Sequence, residues 1–370
     1  MPTMQRNAAP VRISACDCVT PLGNSSATHA ALLEGRTALC PTPVLGRQGG
    51  DPVPLALLPG RTLNDDTPPT WLKAMRDLLA PVKDDGWGRT RRPVCFASSN
   101  FGVGSLYEFH NGGSPEAMLY STPELCVDWV RRELGWGQHY AIFSHACVSA
   151  HVALQHASRL VQSGAAESAL VVSFDFLSPF VTGGFHALKI LNGTSPAPYQ
   201  ARDIGAIGLG DGAAYAAVSR DRGNWEIAAQ SLYNEMYHFT ANQPEGSGFR
   251  CVLEPLAATN LKLWVKGHGT GTIEAGRLES QAVSSLFPDS PIVGWKGALG
   301  HTLGSCGLVE LALAVEALQS GMTPGTVGST APTFTPQVSL GSFSNRGFDG
   351  VLCTSNAFGG AHAGLIVRHV

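Results

Sequence analysis

The chain has 370 residues, a length that suits one large α/β unit or two fused halves. Hydrophobic residues make up 44% and charged residues only 14%, with 43 glycines, which excludes a disordered or coiled-coil chain and points to a compact, turn-rich enzyme. The net charge of −3 comes without long runs of either sign, so no global field for nucleic acid is expected.

The opening MPTMQRNAAPVRIS lacks the apolar stretch of a signal peptide, and no window is expected to approach the ~18 apolar residues of a membrane span. A cytoplasmic protein without membrane or nucleic-acid partners is the resulting expectation. Nine scattered cysteines without CxxC pairs make neither a disulfide framework nor a zinc site. Cys16, Cys18, Cys95 and Cys353 lie in apolar, strand-like runs and read as small buried hydrophobes.

In chain order, VRISACDCV (11–19) reads as a strand and ATHAALLEG (27–35) as a short helix closed by Gly35. Residues 40–70, rich in Pro and Gly, read as a surface loop. TWLKAMRDLLAPV (70–82) is amphipathic and helical until Pro81, and PVCFASSN (93–100) is a buried strand. After a Gly/Ser-rich loop, a helix is expected near 123–134, and then YAIFS (140–144) is a strand that leads to Cys147. SAHVALQHASRLVQSG (149–164) has helical spacing, and SALVVSFDF (168–176), AAYAAVS (213–219) and WEIAAQSLY (225–233) are further strands. A second half begins around residue 222. VALQHASRLVQSG (152–164) aligns without gaps to VELALAVEALQSG (309–321), an offset that sets Cys147 opposite Gly304 and suggests two similar βα halves.

Three turns hold polar residues that an apolar chain would not otherwise need: HACVS (145–149), KGHGTGT (266–272) and WKGALGHTLGSCG (295–307). Each follows a strand-like run. Singly, Cys147 reads as a packed thiol, and each histidine as a capping group no less than as a catalyst. One cysteine and two histidines on strand-to-helix turns form a catalytic pattern.

Together these turns resemble the β-ketoacyl-(acyl-carrier-protein) synthases of the thiolase superfamily. VTPLGN with ALLEGR (19–24, 31–36) is similar to the family's opening, HACVSAHVAL to its TACSS nucleophile motif, and IGLGDGAA (207–214) to its Gly-acid-Gly turn. KGHGTGT is similar to EAHGTGT, KGALGHTLGSCG to KSxxGHTxGAAG, and SNAFGG (355–360) to the closing Gly-rich loop. The resemblance implies a thiolase fold of α/β class, with two halves (1–222 carrying the nucleophile, 223–370 carrying two histidines) in a five-layered α-β-α-β-α arrangement.

It further implies Cys147 as nucleophile, His268 and His301 as the catalytic histidine pair, and Lys296 as the motif lysine, ion-paired with a supporting Glu279. Thr270 and Thr272 match the threonines that bind a phosphopantetheine arm. His145, His151, His156 and His186 match no catalytic position and are expected to be structural. The expected reaction is decarboxylative condensation of an acyl thioester with malonyl-acyl-carrier protein. The chain itself needs no cofactor, since phosphopantetheine arrives on the carrier, and a homodimer or a heterodimer with a ketosynthase-like subunit is expected. The alternatives are a chain-length-factor-like partner, which would lack the nucleophile, and a coenzyme A thiolase, which pairs its nucleophile with a second cysteine.

The chemistry has its own physical logic. A helix N-terminus at Cys147 is expected to lower the thiol pKa below the free ~8.5. Two neutral imidazoles suit an enolate oxygen, and backbone N–H groups at Cys147, Phe358 and Gly359 suit a tetrahedral oxyanion. Lys266 departs from the family, which commonly has Glu there, and Gly276 stands where an acid is usual. The segment 100–125 looks shortened, and the closing loop is two residues short and keeps one phenylalanine. Phe358 is read as its gate, bordering Cys147. Lys73 and Arg76, followed by Arg89, Arg91 and Arg92, are a candidate surface for an acidic carrier.

Overall fold

The computed structural model describes residues 9–43, 52–63, 68–330 and 333–370. Its first run of principal strands is β1 (Arg12–Thr20), β2 (Val94–Ala97), β3 (Tyr140–Phe143), β4 (Ser168–Asp175) and β5 (Gly212–Ser219). The second is β6 (Trp225–Asn234), β7 (Leu263–Lys266), β8 (Ile292–Val293), β9 (Gly350–Ala357) and β10 (Ala361–His369). Their spatial order is β3-β2-β4-β5-β1-β6-β10-β9-β7-β8. Residues 222 and 223 lie in the turn between β5 and β6.

The order is a palindrome when each strand is matched to the one five places later. Pairing senses match too: β2 runs parallel to β3 and β4, and β7 parallel to β8 and β9, while the remaining ladders of each half are antiparallel. A short antiparallel pairing, Arg12 with Glu226 and Ile13 with Trp225, joins the halves.

The helices obey the same repeat. In the first half they are α1 (Pro68–Leu79), α2 (Pro123–Glu133) and α3 (Ser149–Ser163), and in the second α4 (Ser247–Ala257), α5 (Ile273–Leu286) and α6 (Cys306–Ser320). Strand alternation decides which layer each residue enters. Val94 and Phe96 of β2 face outward to a core with Met75 and Leu79 of α1 and Val127 and Val130 of α2, whereas Cys95 and Ala97 face inward to α3. On the other side, Leu352 and Ile366 pack against Phe249 and Leu253 of α4 and Val283 of α5, whereas Val351 and Val367 face inward with α6. Helices α3 and α6 therefore lie between the two strand layers, which gives the five-layered thiolase arrangement. Cys18, Cys95 and Cys353 are buried, while Cys16 is half-buried.

The aligned segments 152–164 and 309–321 fall in 15-residue helices that both end on a left-handed glycine, Gly164 (φ 78°) and Gly321 (φ 75°). Only glycine adopts that conformation without steric cost.

Three expectations differ from the structure. Within 40–70, Cys40–Thr42 and Val53–Ala56 pair as strands, the latter fully buried and joined to Leu209–Gly210, because VPLA is an apolar run that outweighs the flanking prolines; 44–51 and 64–67 lie outside the described residues. The Gly/Ser-rich loop after β2 contains a helix, Val103–His110, too short to show a period. A run apolar and long enough to cross a membrane does exist, Leu303–Ser320, but 78% of it is buried inside the protein because α6 is the central core helix.

Candidate active site

Cys147 sits in the turn between β3 and α3. The preceding Ala146 has φ 46°, a left-handed conformation unfavourable for a side chain, and the Ser149 hydroxyl ties the turn by accepting from the His145 N–H (2.7 Å) and donating to the Ala146 carbonyl (2.6 Å). Under the repeat, the equivalent residue in the other half is Leu303, whose φ is 52°. Both helices are thus entered through the same strained elbow.

His301 belongs to the second elbow. Its Nε2 lies 2.9 Å from the Cys147 Sγ, and its backbone is pinned by its N–H to the Gly208 carbonyl (2.7 Å). His268 follows β7, with its ring perpendicular to that of His301 at 5.1 Å between centroids. Cys147, both imidazoles, Thr270 and Thr272 line one cavity of about 240 Å³, whose wall also includes Phe185, Ile207, Asn356 and Phe358. The two threonine hydroxyls are 3.1 Å apart.

The electrostatics correct the expectation of a preformed thiolate. Cys147 is half-buried, and desolvation raises its pKa, with Cys306 adding to the effect and Lys296 only partly opposing it. Burial outweighs the Lys296 charge and the backbone hydrogen bond that favour a thiolate. The group at rest is a thiol, with His301 in place to take its proton. Burial, then the Lys296 charge, holds both imidazoles neutral, His268 and His301 alike being far below the ordinary histidine pKa.

Glu279 and Lys296 do not pair with each other. Lys296 Nζ donates to Glu310 Oε1 (2.6 Å) and to the His268 carbonyl (2.8 Å). Glu279 is instead the anchor of the His268 turn: its Oε1 accepts from the His268 N–H (2.8 Å), Thr354 Oγ1 (2.6 Å) and Asn356 Nδ2 (3.1 Å), and its Oε2 from the Gly269 N–H (3.1 Å) and the Tyr199 hydroxyl (2.7 Å). Since α5 presents Glu279 to β9 and the turn, its acceptor capacity is taken by neutral donors. Glu279→Gln would aim an NH₂ at N–H and O–H donors and leave buried donors without acceptors, at ~1–3 kcal/mol each. A loss of about 2–5 kcal/mol in urea denaturation is expected.

The closing loop needs a second correction. The Gly359 N–H donates to the Phe239 carbonyl (3.0 Å), so it is not available to an oxyanion, and the backbone donors left from the expected set are those of Cys147 and Phe358. Phe358 lines the cavity with Cys147, is 40% exposed, and stacks on Phe185 at 6.0 Å between centroids.

Of the remaining histidines, His186 Nδ1 meets the Leu191 carbonyl (2.9 Å), His156 packs at a tilt against Phe143 and His145 is exposed at the elbow. His151 is buried against Gly307, and burial lowers its pKa to about 4.

The family-model comparison matches the C-terminal domain of β-ketoacyl synthases over residues 226–330, a stretch that contains His268, Lys296 and His301. Over that stretch the chain is similar to the β-ketoacyl synthases. It is 27% identical to 3-oxoacyl-[acyl-carrier-protein] synthase 2 of Coxiella burnetii, over 61% of this chain and 60% of that protein. It is 25% identical to the tetracenomycin polyketide synthase ketoacyl synthase alpha subunit of Streptomyces glaucescens, over 67% of this chain and 64% of that one. The matches thus span under two thirds of either relative. The ketosynthase-chain length factor complex ApeO–ApeC of Xenorhabdus doucetiae superposes with a TM-score of 0.80 at 20% identity, covering 100% of both chains, which shows the shared fold.

Sequence reasoning missed Glu310, Tyr199, Thr354 and Asn356. Glu310 carried a signal: an acid inside LVELALAV, in a helix that is otherwise almost wholly apolar.

Proposed function

We propose that this chain catalyses decarboxylative Claisen condensation between a carrier-bound acyl thioester and malonyl-acyl-carrier protein. The observation that supports this most is the contact of His301 Nε2 with Cys147 Sγ at 2.9 Å, inside a cavity also lined by His268 and the two threonines.

In acyl transfer, His301 Nε2 takes the Sγ proton as sulfur attacks the thioester carbon, and it returns that proton to the departing pantetheine thiolate. Thr270 and Thr272 offer hydroxyls to the arm. In condensation, the malonyl C–C bond breaks, carbon dioxide leaves and the enolate oxygen takes hydrogen bonds from the two imidazoles. Neither His268 Nδ1 nor His301 Nδ1 has a hydrogen-bond partner among the described residues, so nothing holds the proton on Nδ1 and each ring can present Nε2–H to the enolate once Cys147 is acylated. The enolate carbon then attacks the Cys147 thioester, the tetrahedral oxyanion is held by the Cys147 and Phe358 N–H groups, and the released thiolate takes a proton from water through His301. Phe358, stacked on Phe185 over the cavity, selects the acyl chain.

A thiolase reading would need a second reactive cysteine in the cavity. Cys306 is close, donating to the Cys147 carbonyl (3.4 Å), but it lies behind the nucleophile, outside the cavity wall, and burial pushes its thiol up to about 11. A chain-length-factor role leaves the Cys147–His301 contact without a use.

The same reading gives the chain a dimeric partner, itself or a ketosynthase-like subunit. Strand β3 pairs only with β2 among the described residues, so one row of its backbone groups is open to a second chain. A cytoplasmic setting, where thiols stay reduced, suits a free Cys147. Its place in a specialised polyketide, polyene or fatty acid pathway fits the tetracenomycin relative. Docking of an acidic carrier at Lys73 and Arg76 is disfavoured, because Lys73 pairs with Asp77 and Arg76 with Glu133. The test is mass spectrometry after incubation with acyl-carrier-protein thioesters: an acyl mass on Cys147 that malonyl-carrier discharges is expected. An unmodified protein, or an adduct that malonyl-carrier leaves in place, overturns the reading.

A further inference from the structure

Two lysines compete for one carboxylate beneath the imidazoles. Lys266 ends β7, two residues before His268, and like Trp264 it points inward, toward α6. It is fully buried. Its Nζ pairs with Glu310 Oε2, while Lys296 Nζ holds Glu310 Oε1 at 2.6 Å. The family resemblance leads one to expect an acid at position 266, so the cation there is this chain's own.

We propose that Lys266 is a positioning residue: by sharing Glu310 it fixes the carboxylate that clamps Lys296 onto the His268 carbonyl, and it sets a second positive charge beneath the imidazole pair. This rests on the condensing function above.

The groups facing the cluster bear this out. Glu310 and Cys306 come from α6, Lys296 from the 296–299 turn, His151 from α3, Cys353 from β9, and Glu279 from α5 lies within electrostatic reach of Lys296. Burial pushes the Cys306 and Cys353 thiols up to about 11 and about 12, so neither supplies a second anion at the cluster. Glu279 is occupied by the donors of the His268 turn. Glu310 alone bridges the two ammonium groups. Burial lowers the Lys266 pKa more than Glu310 restores it; for Lys296 burial is again the largest single influence, but Glu310 together with Cys306 and Glu279 overcomes it and the pKa is raised. The shared carboxylate thus keeps Lys296 firmly charged where it holds the His268 carbonyl. Both cations oppose a proton on either imidazole, after the larger effect of burial.

The sign of the effect follows. The imidazoles are neutral above their depressed pKa values and become protonated as pH falls through them. Removing the Lys266 charge raises those values, so protonation sets in at higher pH. In Lys266→Met, NMR of histidine-ring-labelled protein without substrate, assigned with the His268→Ala and His301→Ala variants, is expected to show both titration midpoints raised by about one unit. The acid limb of malonyl-carrier decarboxylation is expected to move up by the same amount. Lys266→Gln, which keeps a polar donor without the charge, should reproduce the shift. Midpoints within about 0.2 unit of the parent in a folded variant overturn the proposal, and so does failure of both variants to fold, which would make Lys266 a residue of the fold. A parent that shows the NMR shift on mutation but releases no carbon dioxide from malonyl-carrier sinks the condensing function and leaves the Lys266 role standing.

Discussion

Cys147→Ala is expected to fold like the parent and to carry no acyl group. The side chain is half-buried in its elbow, and the turn is held by Ser149 and by backbone geometry, not by the sulfur. The cost in stability should be about 1 kcal/mol, the centre of the range for single substitutions. What is lost is the one nucleophile that His301 reaches. Intact-protein mass spectrometry should find no adduct, while malonyl-carrier decarboxylation continues through His268 and His301. Acylation of the alanine variant at the parent's level would mean that the nucleophile lies elsewhere.

The two histidines should fail in different ways. Because His301 Nε2 touches the sulfur, and because burial keeps that sulfur protonated, His301→Ala removes the base for acyl transfer as well as one enolate donor. A drop of ~10²–10⁴ in single-turnover acylation is expected, the usual worth of a positioned base. Alkylation of Cys147 by iodoacetamide should slow in parallel. His268 meets the His301 ring edge-on at 5.1 Å between centroids and, unlike His301, makes no hydrogen bond to Cys147 among the described residues. His268→Ala should therefore spare acylation and lower decarboxylation by ~10²–10³, the cost of losing one donor to a developing oxyanion. Acylation and carbon dioxide release measured separately decide this: equal losses in the two variants on both steps would reduce the pair to a structural role.

The elements most legible in the sequence were those whose chemistry is local. Strand, turn and helix each left a period or a glycine, so the elbow at Cys147 and the helices ending at Gly164 and Gly321 could be placed from spacing and the C-terminal glycine. Partners across the fold were less legible. Glu279 and Glu310 are both acids downstream of an active-site turn, and nothing in their spacing tells which helix face meets Lys296. The two helices present them to different neighbours, Glu279 to β9 and Glu310 to the lysines. The state of the thiol was misjudged for a related reason: a helix terminus can be read from the chain, but the desolvation around it depends on packing among residues far apart in sequence. Gly359 shows the same limit, since the acceptor of its N–H, Phe239, lies 120 residues upstream.

The two elbows that enter α3 and α6 bear on how far this protein can be redesigned. The repeat offers two matching corners that face one interior, and a second cysteine at position 304 is the obvious design to try. The interior forbids it. A Cβ on Gly304 would stand 2.5 Å from the Ser99 nitrogen and 2.9 Å from Asp175 Oδ2, and that aspartate also receives the N–H groups of Ser99, Asn100 and Ser305 and the Ser98 hydroxyl. The second corner is the joint that locks one half onto the other. Symmetry of the backbone is not symmetry of use, and a twin nucleophile would require rebuilding the 98–100 loop and the carboxylate beneath it together.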